Sequence, residues 1–325
     1  MIQASVIIPA FNAADYIEAA ILSATRQEVP GLEIIVVDDR STDDTRERVR
    51  AIAEREPRVS MVELPRNGGP SAARNAGITA ARGRWIALLD ADDSFLPGRL
   101  ATLIALGEEV GADLVADNLL LVDEGDGGKM PMMAPGFLPA PRPIDLPEFI
   151  ARNISAPDAP RTNYGFLKPL MRRDFLARHA IRYDEQVRFA EDFALYVECL
   201  RAGARWWLHP EPMYRYLVRA NSLTQVQTTG DLDRLRGRQR RLLAEARAAG
   251  DRDFAALIAR HLRAVDRCYY YRGFTDEVKA RNPGRAVGYL FASRDSARLI
   301  GLEGARQLPI ILKKAIGGGY RRAAQ

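Results

Sequence analysis

Short apolar segments alternate with amphipathic segments along the first 90 residues of the chain. The apolar segments are rich in Val, Ile and Leu, which is typical of short strands that are buried on both faces. Between them, apolar residues recur every three or four positions, as they do in amphipathic helices. The predicted strands are Ser5–Ile8, Glu33–Val37, Val59–Leu64 and Trp85–Leu89, and the predicted helices are Asp15–Gln27, Thr42–Arg55 and Ala72–Ala81. The alternation predicts an α/β fold with a doubly wound, mostly parallel sheet flanked by helices.

The alternation becomes weaker beyond the fourth predicted strand. Residues 125–147 are rich in Gly and Pro and are predicted to form a long loop. From Asp231 onward the spacing is helical, with an interruption near Asn282–Gly284. The other predicted elements are helices at Leu100–Val110, Asp174–His179 and Phe193–Ala202 and strands at Ala112–Leu121 and Arg205–Leu208. The sequence thus predicts an α/β part followed by a helical C-terminal region.

Four polar clusters lie at the ends of the predicted strands or in the turns that follow them. They are Pro9–Asn12, Asp38–Asp39, Arg66–Asn75 and Asp90–Asp92. Because the carboxyl ends of parallel strands meet at one edge of a sheet, these clusters are expected to converge. Together they offer an aromatic ring and a carboxylate for a base and a ribose, a Gly-Gly turn for close approach, and an Arg for phosphates. The combination favours a nucleoside diphosphate as ligand.

Asp90 and Asp92 follow directly on an apolar strand. Two residues apart on an extended chain, they can point the same way. Two carboxylates in one crevice repel each other unless a cation lies between them, and a hard divalent ion that carries a phosphorylated ligand meets that need. A polar turn at the end of a strand explains the same residues without any site. Asp93 is expected to cap the segment that follows.

The net charge of +5 conceals an asymmetry along the chain. From Gly230 to Gln325 there are 21 basic and 10 acidic residues, against 26 basic and 32 acidic residues in the remainder. Leu235–Arg247 places leucines at helical spacing beneath arginines, and Leu308–Ile316 is apolar with adjoining lysines. Basic amphipathic helices of this kind favour an anionic membrane surface as partner. A solvated helix face that packs on the catalytic domain, or a dimer contact, is the alternative.

Several classes of protein are disfavoured by what the sequence lacks. Neither a Walker A lysine motif nor a Gly-x-Gly-x-x-Gly fingerprint follows the first predicted strand, which argues against P-loop and dinucleotide-binding proteins. The basic region has no recognised nucleic-acid-binding motif, so no nucleic acid is expected as partner. The chain has only two cysteines, an N-terminus that resembles a strand and no long apolar stretch. These features favour a cytoplasmic protein, and together with the basic region they favour one that is peripheral on the plasma membrane.

Four motifs in the first third of the chain resemble family 2 glycosyltransferases of the GT-A fold, in the order in which that family has them. The motifs are Val6–Asn12, Ile34–Asp43, Asn67–Gly77 and Leu89–Asp93. More loosely, the chain is similar to bacterial exopolysaccharide glucosyltransferases of the succinoglycan type. The resemblance implies an inverting transfer that depends on a divalent cation (Mn²⁺ or Mg²⁺). It also implies UDP-glucose as the donor and a polyprenyl-diphosphate-linked oligosaccharide as the acceptor.

The resemblance assigns donor-side roles by position. Phe11 would line the nucleoside pocket, Asp39 would bind the uracil edge, and Arg74 would reach the base or the pyrophosphate. Asp90 would contact the ribose or, through water, the cation, whereas Asp92 would ligate the cation directly. The residues expected to bind the donor are Pro9, Phe11, Asn12, Asp39, Asn67, Gly69, Arg74, Asp90, Ala91, Asp92 and Arg219.

On the acceptor side, Phe189–Tyr196 resembles the Glu-Asp motif that begins a helix in this family. Inverting transfer needs one carboxylate to take the proton of the acceptor hydroxyl. Asp192 is the predicted base and Glu191 the second candidate, although an acidic helix start is also favoured by the helix dipole alone. Arg219 stands where the family often has a metal-binding His. A protonated Arg cannot ligate a cation, but it can bind a diphosphate.

The resemblance also implies a division of the chain. Residues 1–229 are expected to form the GT-A catalytic domain, with 1–124 as the nucleotide-sugar-binding half and 125–229 as the acceptor-binding half, and 230–325 a helical basic region. One alternative is a catalytically silent GT-A protein that binds nucleotide sugars and serves in assembly, which Arg219 and the basic region suggest. A nucleotidyltransferase is disfavoured because Pro9–Asn12 lacks a Gly-rich loop with Arg and Lys.

Overall fold

The computed structural model describes residues 2–154, 163–187, 190–219 and 228–305, which divide into two compact units. Of the described residues, the first unit comprises 2–153, 163–187 and 190–219, and the second comprises Ile154 and 228–305. The strands of the first unit are β1 Ala4–Ala10, β2 Leu32–Asp38, β3 Val59–Glu63, β4 Trp85–Leu88, β5 Ser94–Phe95, β6 Leu114–Asp123, β7 Lys129–Pro131, β8 Arg142–Ile144, β9 Leu170–Arg172 and β10 Trp206–Val218. Its helices are α1 Ile17–Thr25, α2 Thr45–Ala53, α3 Gly69–Ala80, α4 Arg99–Glu109, α5 Leu146–Arg152, α6 Arg173–Arg178 and α7 Glu191–Arg201.

The ten strands form one mixed sheet. Its order is β3-β2-β1-β4-β9-β6-β10-β5, with β7 paired to β6 and β8 paired to β10. The first four strands are parallel, as the alternation of strands and helices predicted. β9 is antiparallel to both of its neighbours, β4 and β6, and β10 runs parallel to β6. The predicted fold class, a mostly parallel sheet with flanking helices, is confirmed.

Close packing of α3 over the sheet places one of the site residues. β1 and β2 are buried along almost their whole length, so a helix must cover them. A Cβ atom on Gly77 would lie only 2.3 Å from the Cγ2 atom of Ile7, which shows how closely the α3 backbone approaches β1. Arg74 lies almost one turn before Gly77 on α3 and is buried. The glycine thereby allows the helix to carry a buried arginine close to the sheet.

Two predictions about the second half of this unit are wrong. The predicted long loop over residues 125–147 contains β7 and β8 and the start of α5. The predicted strand Arg205–Leu208 continues to Val218 as β10, although Pro210 and Pro212 interrupt it. The pairing of β10 with β6 shifts register on both sides of Pro212, and such an irregularity accommodates a residue that has no amide hydrogen. β10 therefore extends far enough to bring Arg219 into the site.

The second unit is helical, as predicted. Its helices are α8 Thr229–Ala248, α9 Arg252–Lys279 and α10 Pro283–Leu290, and residues 296–305 are also helical. In the described part of the chain, no helix is both long and apolar enough to span a bilayer. The predicted basic segment at Leu308–Ile316 lies outside the described residues, as does the part of the acceptor motif at Phe189.

Two of the five arginines in the predicted arginine face of α8 are buried. Arg236 is buried; its Nε atom lies 2.6 Å from Asp266 of α9, and its Nη1 atom lies 2.9 Å from Asp233. Arg238 is buried as well. The guanidinium of Arg236 also lies 3.8 Å from the ring centre of Tyr269. Arg236 therefore packs within the second unit, whereas Arg240, Arg241 and Arg247 of the predicted face are exposed.

Candidate active site

The loops after β1 and β2 are joined to each other at the carboxyl edge of the sheet. The Thr42 amide donates to Oδ1 of Asn12 at 2.8 Å, and the Asn12 amide donates to the Ser41 hydroxyl at 3.0 Å. Asn12 has a φ of 50°, a left-handed conformation that Asn adopts more readily than most residues. Pro9 lies near the end of β1, and Phe11 follows with half of its side chain exposed. This edge thus presents an aromatic surface to solvent.

The Asp39 carboxylate holds the Gly-Gly turn at the start of α3. Its two oxygens accept from the amides of Gly68 and Gly69, each at 2.7 Å, while the Asn67 side chain donates to the Asp39 carbonyl at 3.1 Å. Gly69 has a φ of +82°, which L side chains rarely adopt. Because each carboxylate oxygen can accept more than one hydrogen bond, Asp39 keeps the capacity to bind a base edge as well.

The backbone from Asp90 to Asp93 is a turn and not the extended chain assumed from the sequence. The Asp93 amide donates to the Asp90 carbonyl at 3.0 Å, and Ala91 and Asp92 form the turn between them. The side chains of Asp90 and Asp92 consequently engage different cationic partners. The assumption of an extended backbone at Asp90–Asp92 is therefore wrong.

Asp93 does not cap the following segment, contrary to expectation. Its oxygens accept from the Tyr214 hydroxyl and from the Leu217 amide, both at 2.8 Å. The Tyr214 hydroxyl in turn accepts from the Asp90 amide at 3.1 Å. Burial raises the pKa of Asp93 well above its usual range, and the charges of Asp90 and Asp92 raise it further. Asp93 therefore fixes the carboxylate turn to β10.

Two buried cations hold three carboxylates at the centre of the site. Lys168 Nζ lies 2.9 Å from Asp90 and 2.8 Å from Asp192. Arg74 donates to Asp90 at 2.9 Å and to Glu191 at 2.8 Å, and its Nη1 atom lies 4.0 Å from Asp192. Arg74 and Lys168 are each about 5% exposed, so water screens these pairs little. The network joins the turn after β4 to the start of α7.

The network determines which of its groups carry charge. Burial alone would raise the pKa of Asp90, but the charges of Lys168 and Arg74 outweigh it and hold that pKa well below its usual range. Burial would lower the pKa values of Arg74 and Lys168, yet the carboxylates raise both well above their usual values. Tyr183 donates its hydroxyl to Asp192 at 2.8 Å. Asp192 therefore has a donor on each of its oxygens.

Asp92 and Arg219 form a separate pair at the same edge. Arg219 Nη2 donates to Asp92, and its guanidinium lies 4.8 Å from the ring centre of Tyr16. Burial raises the pKa of Asp92 and so does the charge of Asp90, whereas Arg219 acts in the opposite direction. Arg219 thus supplies positive charge at the position where the family often has a metal-binding His.

The side chains of this site suffice to hold a divalent cation only if the phosphates of a bound nucleotide also coordinate it. Among the described residues, no three His, Cys, Asp or Glu side chains are arranged to hold a metal ion. Asp92 is partly exposed, and burial together with the charge of Asp90 raises its pKa. Both oxygens of Asp90 already accept from Arg74 or Lys168. Mg²⁺ is commonly held by one or two carboxylates and substrate phosphates, and Asp92 suits that arrangement.

Sequence reasoning missed Lys168, Tyr183 and Tyr16. Lys168 is the only charged residue within Gly165–Met171, an otherwise apolar stretch. A lysine in such a context is rarely buried unless it is paired, which is a signal that the sequence does contain. Tyr183 and Tyr16 have no comparable signal, because their contacts depend on the packing of distant loops.

The carboxyl edge of the mostly parallel sheet gathers an aromatic side chain, a Gly-Gly turn, a carboxylate turn and a helix that begins Glu-Asp. This arrangement defines a GT-A-type glycosyltransferase. The profile of Glycosyl transferase family 2 matches residues 5–175. The chain belongs to this family and is a glycosyltransferase.

Individual relatives agree with this assignment. The chain is 40% identical over 284 residues to the succinoglycan biosynthesis protein ExoU of Rhizobium meliloti (strain 1021), which covers 87% of this chain and 81% of that protein. It is 37% identical over 130 residues to a GalNAc(5)-diNAcBac-PP-undecaprenol beta-1,3-glucosyltransferase of Campylobacter jejuni, covering 40% of this chain and 42% of that protein. A crystal structure of S. aureus TarS 1-349 in complex with UDP-GlcNAc matches with a TM-score of 0.67 at 22% identity, over 89% of this chain and 80% of that one. That likeness concerns the fold.

Proposed function

We propose that the protein is an inverting, cation-dependent glycosyltransferase that moves a sugar, glucose from UDP-glucose, onto a polyprenyl-diphosphate-linked oligosaccharide in bacterial exopolysaccharide synthesis. The observation that carries this proposal is the Asp90–Lys168–Asp192–Arg74 network at the carboxyl edge of the sheet. It places a carboxylate on the donor side and a carboxylate at the start of α7 around the same two cations. The similarity to ExoU supports the choice of pathway, and the UDP-GlcNAc complex of TarS supports a UDP-sugar as donor.

In the proposed reaction, the acceptor hydroxyl oxygen attacks the anomeric carbon from the face opposite the diphosphate. The bond between that carbon and the diphosphate oxygen breaks, the hydroxyl proton passes to Asp192, and UDP leaves. A bound divalent cation would neutralise the charge that develops on the diphosphate. Asp92 would hold that cation, and Arg219 would leave Asp92 to contact the diphosphate, since a guanidinium pairs with phosphate oxygens in a bidentate manner.

Lys168 and Tyr183 orient the proposed base. Each donates to one oxygen of Asp192 at 2.8 Å, which leaves one lone pair on each oxygen for the acceptor hydroxyl. Lys168 also places a positive charge directly against the buried Asp192 carboxylate. Glu191 is bound to Arg74 alone among these cations and is the second candidate for the base.

The proposed acceptor resides at the cytoplasmic face of the plasma membrane. The undecaprenol-linked substrate in the name of the Campylobacter relative supports a lipid-linked acceptor. The basic composition of residues 230–325 supports a peripheral association with anionic lipid at that face.

The test begins with binding of UDP-glucose, UDP-galactose, UDP-GlcNAc and dTDP-glucose to the purified full chain, with and without Mn²⁺ or Mg²⁺. Release of UDP is then measured with synthetic polyprenyl-diphosphate oligosaccharides, and product stereochemistry is determined by NMR. The proposal predicts cation-dependent binding of a UDP-hexose, UDP release and an inverted product. Binding of UDP without turnover on any acceptor would favour the silent assembly protein, which the Arg219–Asp92 pair suggests. Absence of nucleotide binding would contradict both functions.

A further inference from the structure

The second unit has an outer surface that combines exposed apolar side chains with basic side chains. We name it the basic apolar surface. Its members are Val278, Lys279, Arg281, Val287, Phe291, Arg294, Arg298 and Leu302. Phe291 is 80% exposed, and the three aliphatic residues are each about half exposed. Four large apolar side chains exposed within residues 278–302 are more than scattered surface positions usually provide, which is typical of an interaction surface.

The packing of α10 explains why its apolar side chains point outward. α10 runs antiparallel along α9, because Arg285 lies 4.0 Å from Glu277 while Tyr289 lies 5.8 Å from the ring of Tyr269. Ala286 is buried, so the side of α10 that carries it faces inward. Val287 lies on another side of α10, and Phe291 directly follows the last residue of the helix. Val287 is about half exposed and Phe291 80% exposed, so most of the Phe291 ring lies outside the core of the unit.

The helical stretch 296–305 has the same division into two sides. Ser296, Ile300 and Glu303 are buried, and Glu303 lies 3.0 Å from Arg267 of α9. Arg298 and Leu302, one turn apart, are exposed. The inward side of this stretch is therefore occupied by α9, and its outward side again pairs a basic residue with an apolar one.

The positive charge of this surface is not neutralised. Lys279, Arg281, Arg294 and Arg298 have no carboxylate within ion-pair distance in the described part of the protein, unlike Arg236 of α8. The sequence continues the trend, since residues 306–325 include five basic and no acidic side chains. A partner for this surface must therefore be both negatively charged and able to accept apolar side chains.

We infer that the basic apolar surface docks the protein on an anionic phospholipid bilayer. Phe291, Val287 and Leu302 enter the boundary between headgroups and acyl chains, and the arginines contact the lipid phosphates. This inference deepens the proposed function, on which it rests for the location of the acceptor. It transfers the membrane contact from α8, where sequence reasoning placed part of it, to α10 and the helical stretch 296–305.

The test measures binding of the full chain to vesicles of phosphatidylcholine alone or mixed with phosphatidylglycerol, by co-sedimentation. V287S/F291S is the apolar variant and R294Q/R298Q the charge variant. M130S is the matched apolar control, since Met130 is exposed on β7 in the first unit. R260Q/R263Q removes the same charge from exposed positions elsewhere on α9. No sugar or nucleotide is needed, so failure of this inference is distinguishable from failure of the proposed function.

The inference predicts binding only to vesicles that contain phosphatidylglycerol, weakened by salt. Each surface variant removes two contacts and should bind more weakly by about 25-fold or more, since one basic residue or one apolar contact contributes about fivefold or more. Both controls should bind as the wild type does. Equal binding to both kinds of vesicle, or wild-type binding by V287S/F291S, would overturn the inference. A dimer in solution that V287S/F291S dissociates, with vesicle binding unchanged, would instead make this surface a contact between two copies.

Discussion

Lys168→Met removes the charge that joins the donor-side and acceptor-side carboxylates while keeping a side chain of similar length. In the structure, Lys168 Nζ lies 2.9 Å from Asp90 and 2.8 Å from Asp192, with the side chain almost fully buried. Loss of one partner from a buried ion pair costs about 3–5 kcal/mol, because a charge is left without compensation. A domain of this size is typically stable by about 5–15 kcal/mol, so the variant is expected to fold at 25 °C with a lowered Tm.

The effect on catalysis should exceed the effect on donor binding. Asp90 keeps Arg74 at 2.9 Å, and we therefore expect donor affinity to change by less than about tenfold. Asp192 loses the donor on its Oδ2 atom, and misplacing a general base costs about 10²–10⁴-fold in rate. The expected outcome is a fall in kcat of about 10²-fold or more, with the donor Kd nearly unchanged.

The assay compares UDP release, UDP-sugar affinity by calorimetry, and Tm for three variants. Ile104→Ala is the stability control: Ile104 is buried on α4, outside the site, and the substitution costs about 2–5 kcal/mol. Lys168→Arg restores the charge and should recover part of the turnover. If Lys168→Met turned over as fast as Ile104→Ala at a temperature where both are folded, Lys168 would have no role in positioning the base. Equal losses in kcat and in donor affinity would also refute the reasoning.

Three further predictions concern other ion pairs and one buried His. Arg219→Gln removes the ion-pair partner of Asp92, so binding of Mn²⁺ alone should tighten by about tenfold when measured by electron paramagnetic resonance. Unchanged affinity would show that the Arg219–Asp92 pair does not compete with the cation. Arg99→Met leaves Asp117 buried without its ion-pair partner and removes a hydrogen-bond donor from the Lys168 carbonyl. The free energy of unfolding, measured with denaturant, should therefore fall by about 3–5 kcal/mol. A fall of less than about 1 kcal/mol would contradict this. Burial lowers the pKa of His261 to about 4, below its unfolded value near 6.5, so the unfolded state binds more protons between these pH values. The free energy of unfolding of the second unit should therefore fall by about 3 kcal/mol as pH falls from 7 to 4. In thermal melts, His261→Gln should lose less stability over this pH range than the wild type. Identical pH dependence of the two proteins would be inconsistent with a neutral buried His261.

The sequence predicted what depends on local pattern and on parallel strand ends. The strands that precede Phe11, Asp39 and Asp90 are short, apolar and parallel, so their carboxyl ends had to meet at one edge. The helix start at Glu191 and Asp192 was visible as a motif. These features carry the assignment to the family.

The contacts that complete the site depend on long-range packing. Lys168 reaches Asp90 and Asp192 because the stretch before β9 enters between β4 and β6, and β9 is antiparallel to both, which no local period predicts. Arg219 reaches Asp92 because β10 continues through two prolines that usually end a strand. The burial of Arg236 on α8 could not be predicted, because Asp266, with which it pairs, lies 30 residues later on another helix.

The most direct test of the central claim is transfer by Asp192→Asn, compared with Glu191→Gln. Asn is nearly the same size as Asp and can still accept from Lys168 or Tyr183, but it cannot take a proton from the acceptor hydroxyl. We expect donor binding to persist in Asp192→Asn while transfer falls by about 10²–10⁴-fold, with a smaller loss for Glu191→Gln. Transfer at the wild-type rate by Asp192→Asn, with loss confined to Glu191→Gln, would contradict the assignment of Asp192 as the base.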